Sequence, residues 1–173
     1  MLSWECPRRL LSPRRLDLAI KWRLFRHLLQ GDDGEAVDVY RVHIMARTGG
    51  AEPGSWKAGV EDYVRACGDL LASMSARGFD ASSPVVVGSN GRMRAGAHRA
   101  ACSIALGIAA VVRHVDEPGR ARPWDADDLR RGGLPAAAID RARSDLERLR
   151  DEDCRCHCPA GHGAPQGMGH GLC

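Results

Sequence analysis

Residues Val85 to Val115 read VVVGSNGRMRAGAHRAACSIALGIAAVVRHV, and their punctuation is that of an α/β unit. The β-branched run Val85-Val86-Val87 ends at Gly88. Ser89-Asn90-Gly91 then supplies what a tight turn needs, namely side chains that bond the local backbone and a glycine tolerant of positive φ. The chain enters Gly96-Ala97-His98-Arg99 and an alanine-rich segment, Ala100 to Leu106, closed by Gly107 as a left-handed helix terminator. A second β-branched run, Val111-Val112 to Val115, follows directly. The expected order is strand, turn, glycine loop, helix, strand, with a His-Arg pair at the helix mouth. Backbone N–H groups left over at a helix N-terminus attract anions, and a guanidinium beside them grips phosphate through paired bonds. Gly96, Ala97, His98 and Arg99 are therefore the first candidate phosphate ligands.

With these residues the segment resembles the ParB/sulfiredoxin superfamily. Its members share a strand, a short turn, a G-x-H-R or G-E-R-R-like loop, an alanine-rich helix and a Leu-Gly ending before the next strand. The matching residues are Val85 to Gly88, Gly91, Gly96-Ala97-His98-Arg99, Ala100-Ala101 and Leu106-Gly107. The resemblance extends over about Val37 to Val115. It implies a small α/β fold whose loop binds the phosphates of ATP, ADP or CTP.

Departures from the pattern bear on activity. Sulfiredoxins carry a reactive cysteine directly before the loop histidine, whereas this chain has Ala97, so sulfinic-acid reductase chemistry loses its nucleophile. Cys102 lies inside the helix, where a thiol ordinarily packs. ParB proteins read G-E-R-R and continue into a long helix-turn-helix region, which the residues after Val115 do not resemble. The free-serine-kinase branch uses a G-x-H-R-type loop and is the most similar.

Composition sets the outer bounds. The chain has 173 residues, 44% hydrophobic and 27% charged, which suits one domain with a core plus appendages. Aromatic residues make up only 5%, too few for a base-stacking platform. Lys and Arg number 25 against 22 Asp and Glu, an excess too small to argue nucleic-acid binding from bulk charge. Charge is nonetheless uneven, because residues 8–27 hold Arg8, Arg9, Arg14, Arg15, Lys21, Arg23 and Arg26 against Asp17 alone. No run is long and apolar enough for a membrane span or a secretory signal, so the expectation is a cytoplasmic protein.

Ser12-Pro13 is expected to open a helix that Gly31 closes, with Leu18, Trp22, Phe25 and Leu29 in one row and Leu16, Ile20, Leu24 and Leu28 in the next. Val37 to Met45 reads as a strand, or two, with a parity switch at Tyr40-Arg41. Val60, Val64, Cys67, Leu71 and Met74 form a helical stripe from about Trp56 to Arg77, ended by Gly78. Further on, Asp125 caps a short helix, Gly132-Gly133 breaks it, and Pro135 to about Asp151 forms a last charged helix.

Lys57 at the opening of the striped helix is a candidate phosphate contact, with Arg92 and Arg94 flanking the loop. Each has the ordinary alternative of a solvated surface charge. His98 is a candidate to touch a phosphate, orient Arg99 or serve as an acid or base, against a core or capping role. Phosphoryl transfer also needs an acceptor hydroxyl to be oriented. Among Glu35, Asp38, Glu61 and Asp62, Glu61 is preferred because it stands four residues after Lys57, a spacing that an ordinary surface ion pair explains equally well. Mg²⁺ is expected with a polyphosphate, Asp116 and Glu117 being possible outer ligands. Cys154, Cys156, Cys158, His157 and His162 are soft ligands without the spacing of a zinc knuckle, and no protein metal site is assigned. Trp22, Trp56 and Trp124 are read chiefly as core anchors.

The fold expectation is an α/β, ParB/sulfiredoxin-like domain with flanking helices. Its parts are a basic amphipathic helix in residues 1–31, a nucleotide-binding domain in 32–117, helices in 118–153 and a flexible Cys/His/Gly-rich tail in 154–173. The functional expectation is an ATP- or ADP-dependent phosphotransferase acting on the hydroxyl of a small molecule or sugar. The alternative is a non-catalytic, ParB-like nucleotide-binding module that regulates a partner or contacts DNA through the basic helix.

Overall fold

The computed structural model describes residues 2–51, 54–119 and 124–153. In chain order the elements are β1 (Leu2–Glu5), a short 3-10 helix (Pro7–Leu10), α1 (Leu16–Gln30), α2 (Ala36–Thr48), α3 (Val60–Arg77), β2 (Val85–Val87), β3 (Met93–Ala95), α4 (Ala97–Leu106), β4 (Ala110–His114), α5 (Ala126–Arg131) and α6 (Ala136–Asp151). The strands form one mixed sheet in the order β1-β4-β2-β3. β4 runs parallel to β2, whereas β1 and β3 are antiparallel to their neighbours. The fold is thus α/β, with α4 as the crossover that brings β4 alongside β2 in parallel.

Within Val85–Val115 the expected succession forms, with one addition. Met93–Ala95 is a strand rather than loop, because the turn at Gly91 (φ +69°) returns the chain antiparallel and the Gly88 N–H donates to the Arg92 carbonyl at 2.9 Å. β1 completes the sheet at the other edge, pairing Leu2 to Glu5 with Arg113 to Ala110.

α1 runs through the interior, packed against α4, α2 and α6. From Leu16 to Phe25 every residue except Arg23 is buried. It begins later than Ser12-Pro13 suggests. The backbone ahead of it pairs with a distant segment, the Leu16 N–H donating to the Trp124 carbonyl and the Trp124 N–H to that of Arg14, both at 3.0 Å.

The strand expected at Val37–Met45 is instead the middle of α2. Its buried residues are Ala36, Tyr40, His43 and Ile44, a helical spacing, and Gly49 (φ +68°) ends it. The parity switch at Tyr40-Arg41 was the trace of that period, and burial of one face overrides the β preference of Val37, Val39, Val42 and Ile44. α3 likewise starts at Val60 rather than near Trp56, because the Asp62 carboxylate accepts from the N–H groups of Ala58 (2.8 Å) and Gly59 (3.2 Å) and fixes the first turn there. Asp125 caps α5 as expected, accepting from the N–H groups of Asp127 and Asp128. No helix among the described residues is long and apolar enough to cross a membrane. The Cys154–His162 cluster lies outside the described residues, among which no group of three or more His, Cys, Asp or Glu is placed to hold a metal ion.

Candidate anion-binding cleft

A glycine starts the site. Gly96 caps α4 at φ +94°, and a Cβ built there would stand 2.9 Å from the Val85 Cα, so both the backbone angle and the contact with β2 exclude a side chain. The Ala100 N–H donates to the Gly96 carbonyl at 2.9 Å, which places the N–H groups of Ala97, His98 and Arg99 ahead of the helical ladder. They open on a cleft of about 810 Å³ lined by Arg15 and Asp17 of α1, Tyr40 and Arg47 of α2, Lys57, Tyr63 and Cys67 in and before α3, Arg94 of β3, the 96–99 loop, and Trp124. The volume suits a nucleotide-sized ligand.

Of the sequence candidates, Gly96, Ala97, His98, Arg99 and Lys57 meet in this cleft, and Arg92 and Glu61 do not line it. Lys57 and Glu61 diverge because α3 starts after Lys57, so the i, i+4 relation inferred from spacing does not exist. Lys57 sets its ammonium over the Tyr63 ring, 4.9 Å from the centroid, whereas Glu61 points outward in a bidentate pair with Arg41 at 2.8 and 3.0 Å. Glu117, the possible outer metal ligand, pairs with Arg94 through one carboxylate oxygen and is otherwise exposed.

His98 faces inward. Its Nε2 lies 2.8 Å from the Tyr40 hydroxyl, which itself accepts from the Cys67 thiol at 3.3 Å. Burial, with the charges of Lys21 and Arg47, pushes the His98 pKa well below its usual value, so the ring is neutral. Arg99 donates from Nη2 to the Pro84 carbonyl at 3.2 Å, and its buried Nε has no partner. The Tyr63 hydroxyl, in a residue only 3% exposed, also lacks a partner.

Sequence reasoning missed the floor of the cleft. Asp17 accepts from Lys21 Nζ (2.6 Å) and from Arg15 Nε (2.7 Å) and Nη2 (3.0 Å), all three side chains being largely or wholly buried. Burial alone would raise the Asp17 pKa, but Lys21 and Arg15 hold it far below the carboxylate range. Lys21 Nζ also faces His43 Nε2 at 3.4 Å, and His43 stacks edge-on against Trp124. Burial and the Lys21 charge push the His43 pKa down to about 3. The signal was present in α1, where Asp17 and Lys21 interrupt a stretch apolar on all sides at i, i+4 spacing.

Among the described residues, five cationic side chains, Arg15, Arg47, Lys57, Arg94 and Arg99, line the cleft with a single carboxylate, Asp17. No carboxylate of the described residues forms an ion pair with Arg47 or Arg99. Comparison with family models, curated proteins and solved structures returned no match.

Proposed function

We propose that this cleft binds ATP or ADP through its phosphates and transfers the terminal phosphoryl group to the hydroxyl of a small molecule or sugar, in a cytoplasmic setting. The observation that carries the reading is the convergence of cations and unsatisfied donors. Arg99 Nε, the Tyr63 hydroxyl and the N–H groups at the head of α4 all lack acceptors, in a cleft with far more positive than negative charge. A polyphosphate supplies oxygens to the backbone N–H groups and guanidinium groups that line the cleft. The likeness of Gly96-Ala97-His98-Arg99 to the G-x-H-R loop of the ParB/sulfiredoxin superfamily supports the same assignment.

In the transfer, the acceptor oxygen bonds to the terminal phosphorus as the bond to the bridging oxygen breaks, and the hydroxyl proton leaves. Such steps depend mainly on alignment and charge neutralisation. The cleft's design fits that demand, because Asp17, the one carboxylate in its lining among the described residues, is committed to Arg15 and Lys21 and is a weak proton acceptor. Under this reading His98 positions the loop through Tyr40. Mg²⁺ would accompany the phosphates as their counter-ion.

For the DNA-contacting alternative the N-terminal region keeps Arg9 and Arg14 exposed, while its other basic residues are engaged within the fold. Arg8 pairs with Glu152, Arg15 and Lys21 with Asp17, Arg23 with Asp33, and Arg26 with Asp32.

A thermal-shift panel of ATP, ADP, CTP and GTP with Mg²⁺, on wild type and Arg99→Ala, tests the reading. A ligand that binds only the folded chain raises its melting temperature. Stabilisation by ATP or ADP that Arg99→Ala removes is the expected result, and a cooperative melt unmoved by any nucleotide sinks it.

A further inference from the structure

We infer that the cleft has a second anion-binding centre, built from Arg15 and Arg47 on the α1–α2 side above the buried Lys21, and that the molecule phosphorylated there is itself an acid. The acceptor part of this inference rests on the phosphotransferase reading; the anion centre does not.

The argument is one of charge balance in a place that water scarcely reaches. Lys21 and Arg15 share a single counter-ion, Asp17, and their side chains are 1%, 14% and 3% exposed in that order with Asp17 last. One positive charge is therefore left over in the floor. Among the described residues, none of the groups packed around it supplies the missing negative charge. His43 and His98 are neutral, and burial raises the pKa values of the Tyr40 phenol and the Cys67 thiol, so both keep their protons. Arg47, in the last turn of α2, adds a second unbalanced charge to the same wall, close enough that it works against protonation of His98 and Lys21. Uncompensated charge is costly where it is buried, as at Lys21 and Arg15, and with the exposed Arg47 beside them the wall attracts a ligand's anion.

The other cations lie in different surroundings. Arg94 pairs with Glu117, and the charge that acts on Arg99 is that of Asp80. Arg99 and the head of α4 form the donor-phosphate side, and a nucleotide held there leaves the α1–α2 excess unmet. The cleft of about 810 Å³ has room for a nucleotide and a small second molecule. The chemistry that would satisfy Arg15 and Arg47 is a carboxylate or a phosphate, the group for which guanidinium is the matching fork.

The test uses the full chain and thermal shift at constant ionic strength, with inorganic phosphate added to protein saturated with ADP and Mg²⁺. Phosphate at ten times its dissociation constant is expected to raise the melting temperature by about 3–6 °C beyond ADP alone. Arg47→Gln is expected to abolish that increment and retain the ADP one. Arg47 is exposed and makes no hydrogen bond among the described residues, so this variant folds. In a parallel arm gluconate replaces phosphate, with glucose as the neutral control, which separates a carboxylate-bearing acceptor from a phosphate-bearing one. Absence of any increment from either anion once ADP is bound, or an increment that survives Arg47→Gln, overturns the inference. A response to phosphate through Arg47 in a protein that ignores every nucleotide upholds the anion centre and removes the phosphotransferase reading.

Discussion

The Tyr40 hydroxyl and His98 Nε2 stand 2.8 Å apart, joining the middle of α2 to the first turn of α4. This one bond ties the 96–99 loop to the helix that also carries Arg47, so the two sides of the cleft are held in register by a neutral pair. Tyr40→Phe removes it and strands both His98 Nε2 and the Cys67 thiol. The expected loss is about 1–3 kcal/mol of stability, the cost of buried polar groups without partners, read from the urea midpoint. A variant as stable as wild type would show that the bond does not hold the loop.

Gly96→Ala meets two obstacles at once, a φ of +94° and a Cβ 2.9 Å from the Val85 backbone. Strain of this kind costs on the order of 1–3 kcal/mol, and relieving it moves the head of α4. Both the denaturation midpoint and nucleotide-induced stabilisation are expected to fall. Unchanged nucleotide response in a destabilised protein would separate the loop's conformation from its binding.

Asp17→Asn is expected to be among the most damaging single substitutions. It leaves Lys21 and Arg15 charged and buried without a counter-ion, at a cost of about 3–5 kcal/mol. Adding Lys21→Met should restore part of the loss, since one of the two orphaned charges goes with it. A double-mutant cycle measures the coupling, and strict additivity would contradict the shared-carboxylate geometry.

Acid should weaken the fold well before the carboxylates titrate. His43, at about 3, and His98 bind protons less readily when folded than when unfolded, where their pKa is near 6.5. As pH falls below 6.5 the unfolded chain takes up protons that the folded one refuses. Stability should then drop by on the order of 1.4 kcal/mol per pH unit for each histidine. Asp17 acts in the same direction lower down, because its stabilising ion pairs are lost only as pH falls below its unfolded pKa of 3.8 and on through its depressed folded one. Urea titrations from pH 7.5 to pH 4.5 measure the slope, and a flat midpoint across that window would mean these rings are not buried neutral.

How legible this molecule is from sequence depends on the range of the information. The unit from Val85 to Val115 could be read because its instructions are local, with Gly88, Gly91, Gly96 and Gly107 each marking a change of direction beside its own turn or helix. α2 was misread because β-branched residues describe a preference, while the period that decides between helix and strand depends on which face finds a core. Glu61 looked like Lys57's neighbour only on the assumption that the helix already included Lys57, and the Asp62 cap moves the start past it. The floor of the cleft was least legible, since Arg15, Arg47 and Trp124 meet through the tertiary fold and no spacing connects them. Asp17 and Lys21 are the exception, two charges in a stretch otherwise surrounded by apolar side chains.

Burial of α1 on nearly all sides has a further consequence during synthesis. This helix leaves the ribosome before α4 and α6, which cover it and lie roughly 70 and 110 residues downstream. Until they arrive its leucines, Trp22 and Phe25 have only α2 and α3 to dock on, and much of its apolar surface remains in water. Closure of those long loops must precede the reward for closing them, which slows folding and leaves an adhesive nascent segment for chaperones to shield.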